Sequence, residues 1–148
     1  MPEKEKRAGT PAPYCLAMLA CDGIHIDPST GKRTLLGCFA ELEVAEFPAA
    51  HTFLCVYVVL SEGRGLVPVT LRLVDVDEDR PPAFELQSEA RFADPKEVVE
   101  MDLFADDFVL PKPGEYRLQL LVGMHPVMER RIVVFLVGGH GNGPNAEE

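Results

Sequence analysis

A chain of 148 residues, 47% hydrophobic and 26% charged, is long enough for one domain with its own core, and its formal net charge of −10 sets it against phosphate-rich partners such as nucleic acid. The apolar runs at 53–60 and 132–137 fall far short of the ~20 residues of a membrane-spanning helix, and the charged opening before Tyr14 reads as neither a secretory signal nor an anchor. No membrane and no nucleic-acid partner are expected, and the expected location is cytoplasmic.

In chain order, residues 1–13 read as a disordered tail rich in Lys, Glu, Gly and Pro. Tyr14–Cys21 and Ile24–Ile26 are strand-length apolar segments leading into Asp27-Pro28-Ser29-Thr30-Gly31-Lys32, a tight loop in which Asp27 caps the turn. Thr34–Val44 returns as the partner strand. After the break at Phe47-Pro48-Ala49-Ala50 comes Thr52–Leu60, closed by Glu62-Gly63-Arg64-Gly65. In Val67–Val76, Val69, Leu71 and Leu73 alternate with Thr70 and Arg72; Pro68, which cannot donate to a ladder, confines its position to a strand start or outer edge.

The acidic stretch 77–82 turns the chain into Phe84–Phe92. Glu97–Phe104 follows, with Val99, Met101 and Leu103 opposite Glu100 and Asp102, and Ala105–Asp107 is read as a short helical turn. Pro113-Gly114 then opens the clearest signal in the chain, where Tyr116, Leu118, Leu120 and Val122 alternate with Arg117 and Gln119 as in a half-buried antiparallel strand. Gly123-Met124-His125-Pro126 forms the hairpin to Glu129–Val137, and 138–148 reads as a disordered glycine-rich tail. About eight short strands and no sustained 3.6-residue period predict an all-β domain over 14–137, an antiparallel two-layer β-sandwich of immunoglobulin-like kind.

Three segments, Tyr14–Cys21, Phe53–Leu60 and Ile132–Val137, are apolar on both faces, so each wants covering on both sides. Either the chain folds a segment over them or a partner does. The candidate interface is Phe53, Leu54, Val56, Tyr57, Val58 and Leu60.

The residues that carry chemistry are sparse. The acidic run Asp75, Asp77, Glu78, Asp79 lacks the glycine and closing glutamate of a calcium loop and reads as a solvated tip. Asp22, His25 and Asp27, with His51 within reach, are weak candidates for a metal or acid–base site, although on a strand Asp22 points away from the other two. Cys15, Cys21, Cys38 and Cys55 have no C-x-x-C spacing and read as free thiols in apolar surroundings. No nucleophile elbow and no phosphate-binding loop occur, and the absence of tryptophan argues against a sugar platform.

The segments CDGIHIDPSTGKRTLLGCF (21–39), EFPAAHTFLCVYV (46–58), LRLVDVD (71–77) and LPKPGEYRLQLLV (110–122) together resemble an uncharacterised family of small bacterial proteins of unknown function. The resemblance implies a stand-alone β-sandwich in a bacterial cytosol and supplies no catalytic residue. Residues 77–82 depart from it in being more acidic and proline-rich. The expected function is a non-catalytic protein-interaction or assembly module without a cofactor, meeting a protein partner or a second copy. The rival is a small metal-binding protein or enzyme using Asp22, His25 and Asp27.

Overall fold

The computed structural model describes residues 13–77 and 80–138, so the two expected tails, apart from Pro13 and Gly138, and the acidic tip at Glu78 and Asp79 lie outside the described residues. The described chain is all β. In order the strands are β1 (Tyr14–Cys21), β2 (Gly23–Ile26), β3 (Arg33–Leu36), β4 (Glu41–Val44), β5 (Ala49–Ser61), β6 (Gly65–Asp75), β7 (Phe84–Phe92), β8 (Val98–Leu110), β9 (Gly114–Val122) and β10 (His125–Leu136). They form three sheets, ordered β1-β5-β8, β4-β10-β9-β6-β7 and β2-β3. Among the described residues no helix is long and apolar enough to cross a membrane.

Strand number and length differ from the sequence expectation at two places, each with a local cause. Thr34–Val44 is two strands: β3 pairs with β2, Gly37 turns the chain at a φ of 65°, and β4 joins the five-stranded sheet parallel to β10 rather than antiparallel. Ala105–Asp107 is no helical turn. The ladder of β8 with β5 runs through it to Leu110, and Asp107 at a φ of 57° leaves Asp106 and Asp107 exposed in succession before Phe108 and Leu110 return to the core. That single break in the period-two pattern, opposite the irregular register between Ala49 and Phe53, hides the strand's second half from the sequence. Ten strands therefore stand where about eight were expected.

Alternation places the core. On β9, Tyr116, Leu118, Leu120 and Val122 are 0–3% exposed, and Arg117 and Gln119 face the other way. Leu54, Val56, Val58 and Leu60 of β5, Met101, Leu103 and Ala105 of β8, and Val69, Leu71 and Leu73 of β6 join them in one cluster drawn from both larger sheets. Each buried Leu, Val or Met side chain among them contributes roughly 1.5–3 kcal/mol. Pro68 lies in β6 before pairing with β9 begins at Val69; its carbonyl accepts the Gly123 N–H at 2.9 Å, and no donor is required of it. Before β9, the Tyr116 hydroxyl donates to the Lys112 carbonyl at 2.7 Å and accepts the Lys112 N–H at 3.3 Å, closing the Lys112–Tyr116 turn over the core.

Gly63, in the connection from β5 to β6, is buried against Phe92, itself 2% exposed. A Cβ at Gly63 would overlap the Phe92 ring. Gly63→Ala is expected to cost about 1–3 kcal/mol by overpacking, read as a lower urea midpoint with an unchanged slope. A midpoint equal to that of the parent chain would show that the ring moves aside freely.

Candidate functional site

The outer face of the three-stranded sheet is where the doubly apolar β5 meets its cover. Because Leu54, Val56, Val58 and Leu60 turn inward, Phe53, Cys55, Tyr57 and Val59 turn outward. The register sets them in rows, Cys21 beside Cys55 beside Phe104, Leu19 beside Tyr57 beside Asp102, and Ala17 beside Val59 beside Glu100. The β2–β3 hairpin contacts β5 and ties itself to this face through Arg33. Arg33 Nε and Nη2 donate to Asp102 Oδ1 and Oδ2 at 2.9 and 3.1 Å, and Nη1 donates to Glu100 Oε1 at 2.8 Å. The other Glu100 oxygen accepts the Tyr57 hydroxyl. Flat, forked guanidinium geometry suits such a two-carboxylate clamp.

Electrostatically the cluster is saturated. Burial, then the hydrogen bond to Glu100 and the charges of Glu100 and Asp102, push the Tyr57 phenol up to about 12 against the opposing pull of Arg33, so it stays a proton donor. The hydrogen bond to Asp102 raises Arg33 further. The arrangement holds the hairpin down.

The cover stops short of one end. Cys55 is 0% and Val59 9% exposed, whereas Phe53 and Phe104 are 47% and 55% exposed, their rings stacked at 6.5 Å between centroids and 21° between planes. Asp106, in register with Phe53, makes no side-chain hydrogen bond or ion pair among the described residues, and Asp107 faces His51 with Nδ1 2.7 Å from Oδ1. At this end an aromatic step edged by carboxylates is open; at the other, Tyr14 and Val98, both in register with Ser61, are 67% and 54% exposed without an aromatic stack among the described residues.

The opposite large face, that of the five-stranded sheet, is wet. Arg117 joins Glu115 at 2.7 Å and Glu129 at 2.5 Å, and Arg72 Nε donates to Gln119 Oε1 at 2.8 Å. At one end of this sheet Asp75 is nearly fully buried; its Oδ1 accepts the Asp77 N–H at 3.0 Å, and its Oδ2 is held by charge alone, 3.2 Å from Arg80 Nε and 3.4 Å from Lys112 Nζ without an aligned hydrogen bond. A groove of ≈ 570 Å³ runs between β1 and β10, lined by Leu19, Cys38, Phe39, Glu41 and Arg130 among others, with Arg130 Nε donating to the Met18 carbonyl at 2.8 Å.

The residues singled out from sequence are dispersed. Asp27 Oδ1 accepts from the Ser29 N–H and hydroxyl at 2.8 Å and from the Thr30 N–H at 3.2 Å, which caps the turn and lowers its pKa. His25 is exposed on β2, Asp22 is exposed with its carboxyl against Gly37, and His51 is spent on Asp107. Among the described residues no three His, Cys, Asp or Glu are grouped to hold a metal ion. Of the interface residues, Phe53 and Tyr57 lie on the outer face, and Leu54, Val56, Val58 and Leu60 lie in the core. Sequence alternation already set Glu100 and Asp102 on one face; Arg33, 67 and 69 residues away, carries no local signal of its role. All four cysteines are free thiols.

Residues 16–135 match a protein family described as a family of unknown function (DUF6941). No curated protein matches the chain. Among solved structures the chain is similar to a β-glucosidase from Listeria innocua at a TM-score of 0.45 and 11% identity, covering 83% of this chain and 16% of that one. The same enzyme in complex with isofagomine gives a TM-score of 0.43 at 11% identity over the same shares. The chain thus spans about 16% of the length of these matched structures.

Proposed function

We propose that the chain, which belongs to that family of unknown function, is a non-catalytic protein-interaction module, a two-layer β-sandwich of immunoglobulin-like kind that meets its partner through the Phe53–Phe104 end of the three-stranded sheet. The layered reading is supported by the shared core of the two larger sheets and by Tyr116, whose hydroxyl reaches back four residues to the Lys112 carbonyl in the manner of the tyrosine corner of such sandwiches. A cytosolic setting goes with it, since free thiols persist where the medium is reducing.

The observation that carries the functional reading is the exposed Phe53–Phe104 stack on the outer face of the three-stranded sheet, two half-open rings packed against each other. Stacked aromatic rings half open to water are favourable anchors for a partner's apolar side chain. The carboxylates around them choose the partner. Asp106 and Asp107 flank the rings in a chain of net charge −10, so a second copy would bring like charges together, and a protein segment with an apolar residue flanked by Lys or Arg fits.

Selection from a displayed random-peptide library tests this with a defined probe. Enriched peptides are expected to carry an aromatic or aliphatic residue flanked by Lys or Arg, to bind more weakly as salt rises, and to lose at least tenfold in affinity to Phe53→Ser and Phe104→Ser chains that keep the parent unfolding midpoint. Binders indifferent to both substitutions, or a stable dimer by light scattering, would overturn the proposal.

A further inference from the structure

Cys21 and Cys38 bracket the β2–β3 hairpin, and the backbone joins them across its base. The Asp22 N–H donates to the Gly37 carbonyl at 3.2 Å, sharing with Leu36 at 2.8 Å, and the Phe39 N–H donates to the Ala20 carbonyl at 3.0 Å. Those bonds flank Cys21 and Cys38 as a non-hydrogen-bonded antiparallel pair, the arrangement in which Cα atoms stand ~4.5 Å apart with both side chains on one face. A disulfide spans Cα separations of roughly 4.4–6.8 Å, so a pair in this arrangement falls within its reach. On its other side Cys21 is in register with Cys55, which puts Cys38, Cys21 and Cys55 in one row across adjacent segments. Access distinguishes them: Cys21 and Cys55 are 0% exposed, and Cys38 is exposed and lines the groove between β1 and β10.

We propose that Cys38 and Cys21 are a redox pair that a hydroperoxide converts into a disulfide, stapling the base of the hairpin that covers the three-stranded sheet. In the first step the Cys38 thiol gives its proton to water and its thiolate sulfur attacks the peroxide, the O–O bond breaks, the sulfur keeps one oxygen as sulfenic acid, and the other oxygen takes a proton back from water and leaves as an alcohol or water. This oxidises the sulfur by two electrons. In the second step the Cys21 sulfur attacks the Cys38 sulfur, an S–S bond forms as the S–O bond breaks, and the hydroxyl leaves as water with the Cys21 proton. Burial raises both Cys21 and Cys55, the latter to about 12, so position and not acidity selects the partner: Cys21 lies next to Cys38, and Cys55 lies beyond Cys21 in the row. Reduced, the hairpin is held by its backbone bonds and by the Arg33 clamp; oxidised, it is also closed covalently at residues 21 and 38.

The test uses the full chain, treated with hydrogen peroxide, alkylated and digested with trypsin and chymotrypsin, which together separate Cys15 from Cys21 and Cys38 from Cys55. The expected product is a peptide pair linking Cys21 to Cys38, short by two hydrogens, reversed by dithiothreitol and absent in Cys38→Ser. Oxidation should raise the thermal midpoint of the parent chain and leave that of Cys38→Ser unmoved. In Cys21→Ala, a dimedone adduct should accumulate on Cys38. The proposal is overturned by a link from Cys38 to Cys55, by a link between two chains, by Cys38 ending as sulfinic acid without a link, or by four thiols that stay unmodified.

Discussion

Tyr116→Ala is expected to lower the unfolding free energy by about 3–5 kcal/mol, the range for deleting a large buried aromatic side chain. The ring is 1% exposed and packs among Leu118, Leu120 and their neighbours in the shared core, so its loss leaves a cavity in the best-ordered part of the alternation. The hydroxyl adds a separate contribution, because it is both donor to the Lys112 carbonyl and acceptor for the Lys112 N–H. Tyr116→Phe keeps the ring and leaves those two backbone groups without that partner, a loss of about 1–2 kcal/mol. Urea unfolding of the two variants beside the parent separates the contributions. A phenylalanine variant as unstable as the alanine one would mean that the turn, not the packed ring, holds this corner together.

That corner was legible from sequence because its cause is local: Pro113-Gly114 sets the turn and four apolar residues alternate behind it. The same holds for β1 and β7, whose bounds, Tyr14–Cys21 and Phe84–Phe92, are those of the apolar segments. Alternation fails wherever one residue departs from extended geometry. Asp107 at a positive φ puts two exposed residues in a row and makes the second half of a 13-residue strand look like a helical turn. Gly37 does the same for Thr34–Val44, where one apparent strand is divided between two sheets.

Pairing over distance is the other loss. The two apolar faces of β5 announce that both need cover, but nothing near Arg33 says that its hairpin supplies part of it or that its partners are Glu100 and Asp102. Those contacts depend on where the hairpin comes to rest on the sheet, a property of the assembled fold. The open aromatic step illustrates both sides: Phe53 belongs to a legible apolar face, whereas its neighbour Phe104 is brought to it only by the β5–β8 register.

Replacing both cations of the Asp75 corner, as in Arg80→Met with Lys112→Met, is expected to cost about 3–5 kcal/mol near neutral pH, because it strands a buried carboxylate without a counter-charge. Asp75 is 4% exposed, and two opposing influences act on it: burial pushes its carboxyl up, while the Asp77 amide, Lys112 and Arg80 together outweigh burial and hold it below the ordinary 3.8. A carboxyl depressed in the folded state stabilises the fold above its unfolded pKa, and that contribution is lost as pH falls through the folded value. With both cations gone burial prevails, the folded carboxyl binds its proton more readily than the unfolded one, and the sign reverses. The gap in unfolding free energy between parent and variant should therefore be widest near pH 7 and narrow steadily below about pH 5, measured by urea titrations at fixed ionic strength across that range. Adding Asp75→Asn to the double variant removes the stranded charge and is expected to recover part of the loss at neutral pH while abolishing its dependence on pH. A gap that stays constant from neutral to acid while Asp75 is in place would show that the corner is held by packing of the Lys112 and Arg80 stems and not by their charges.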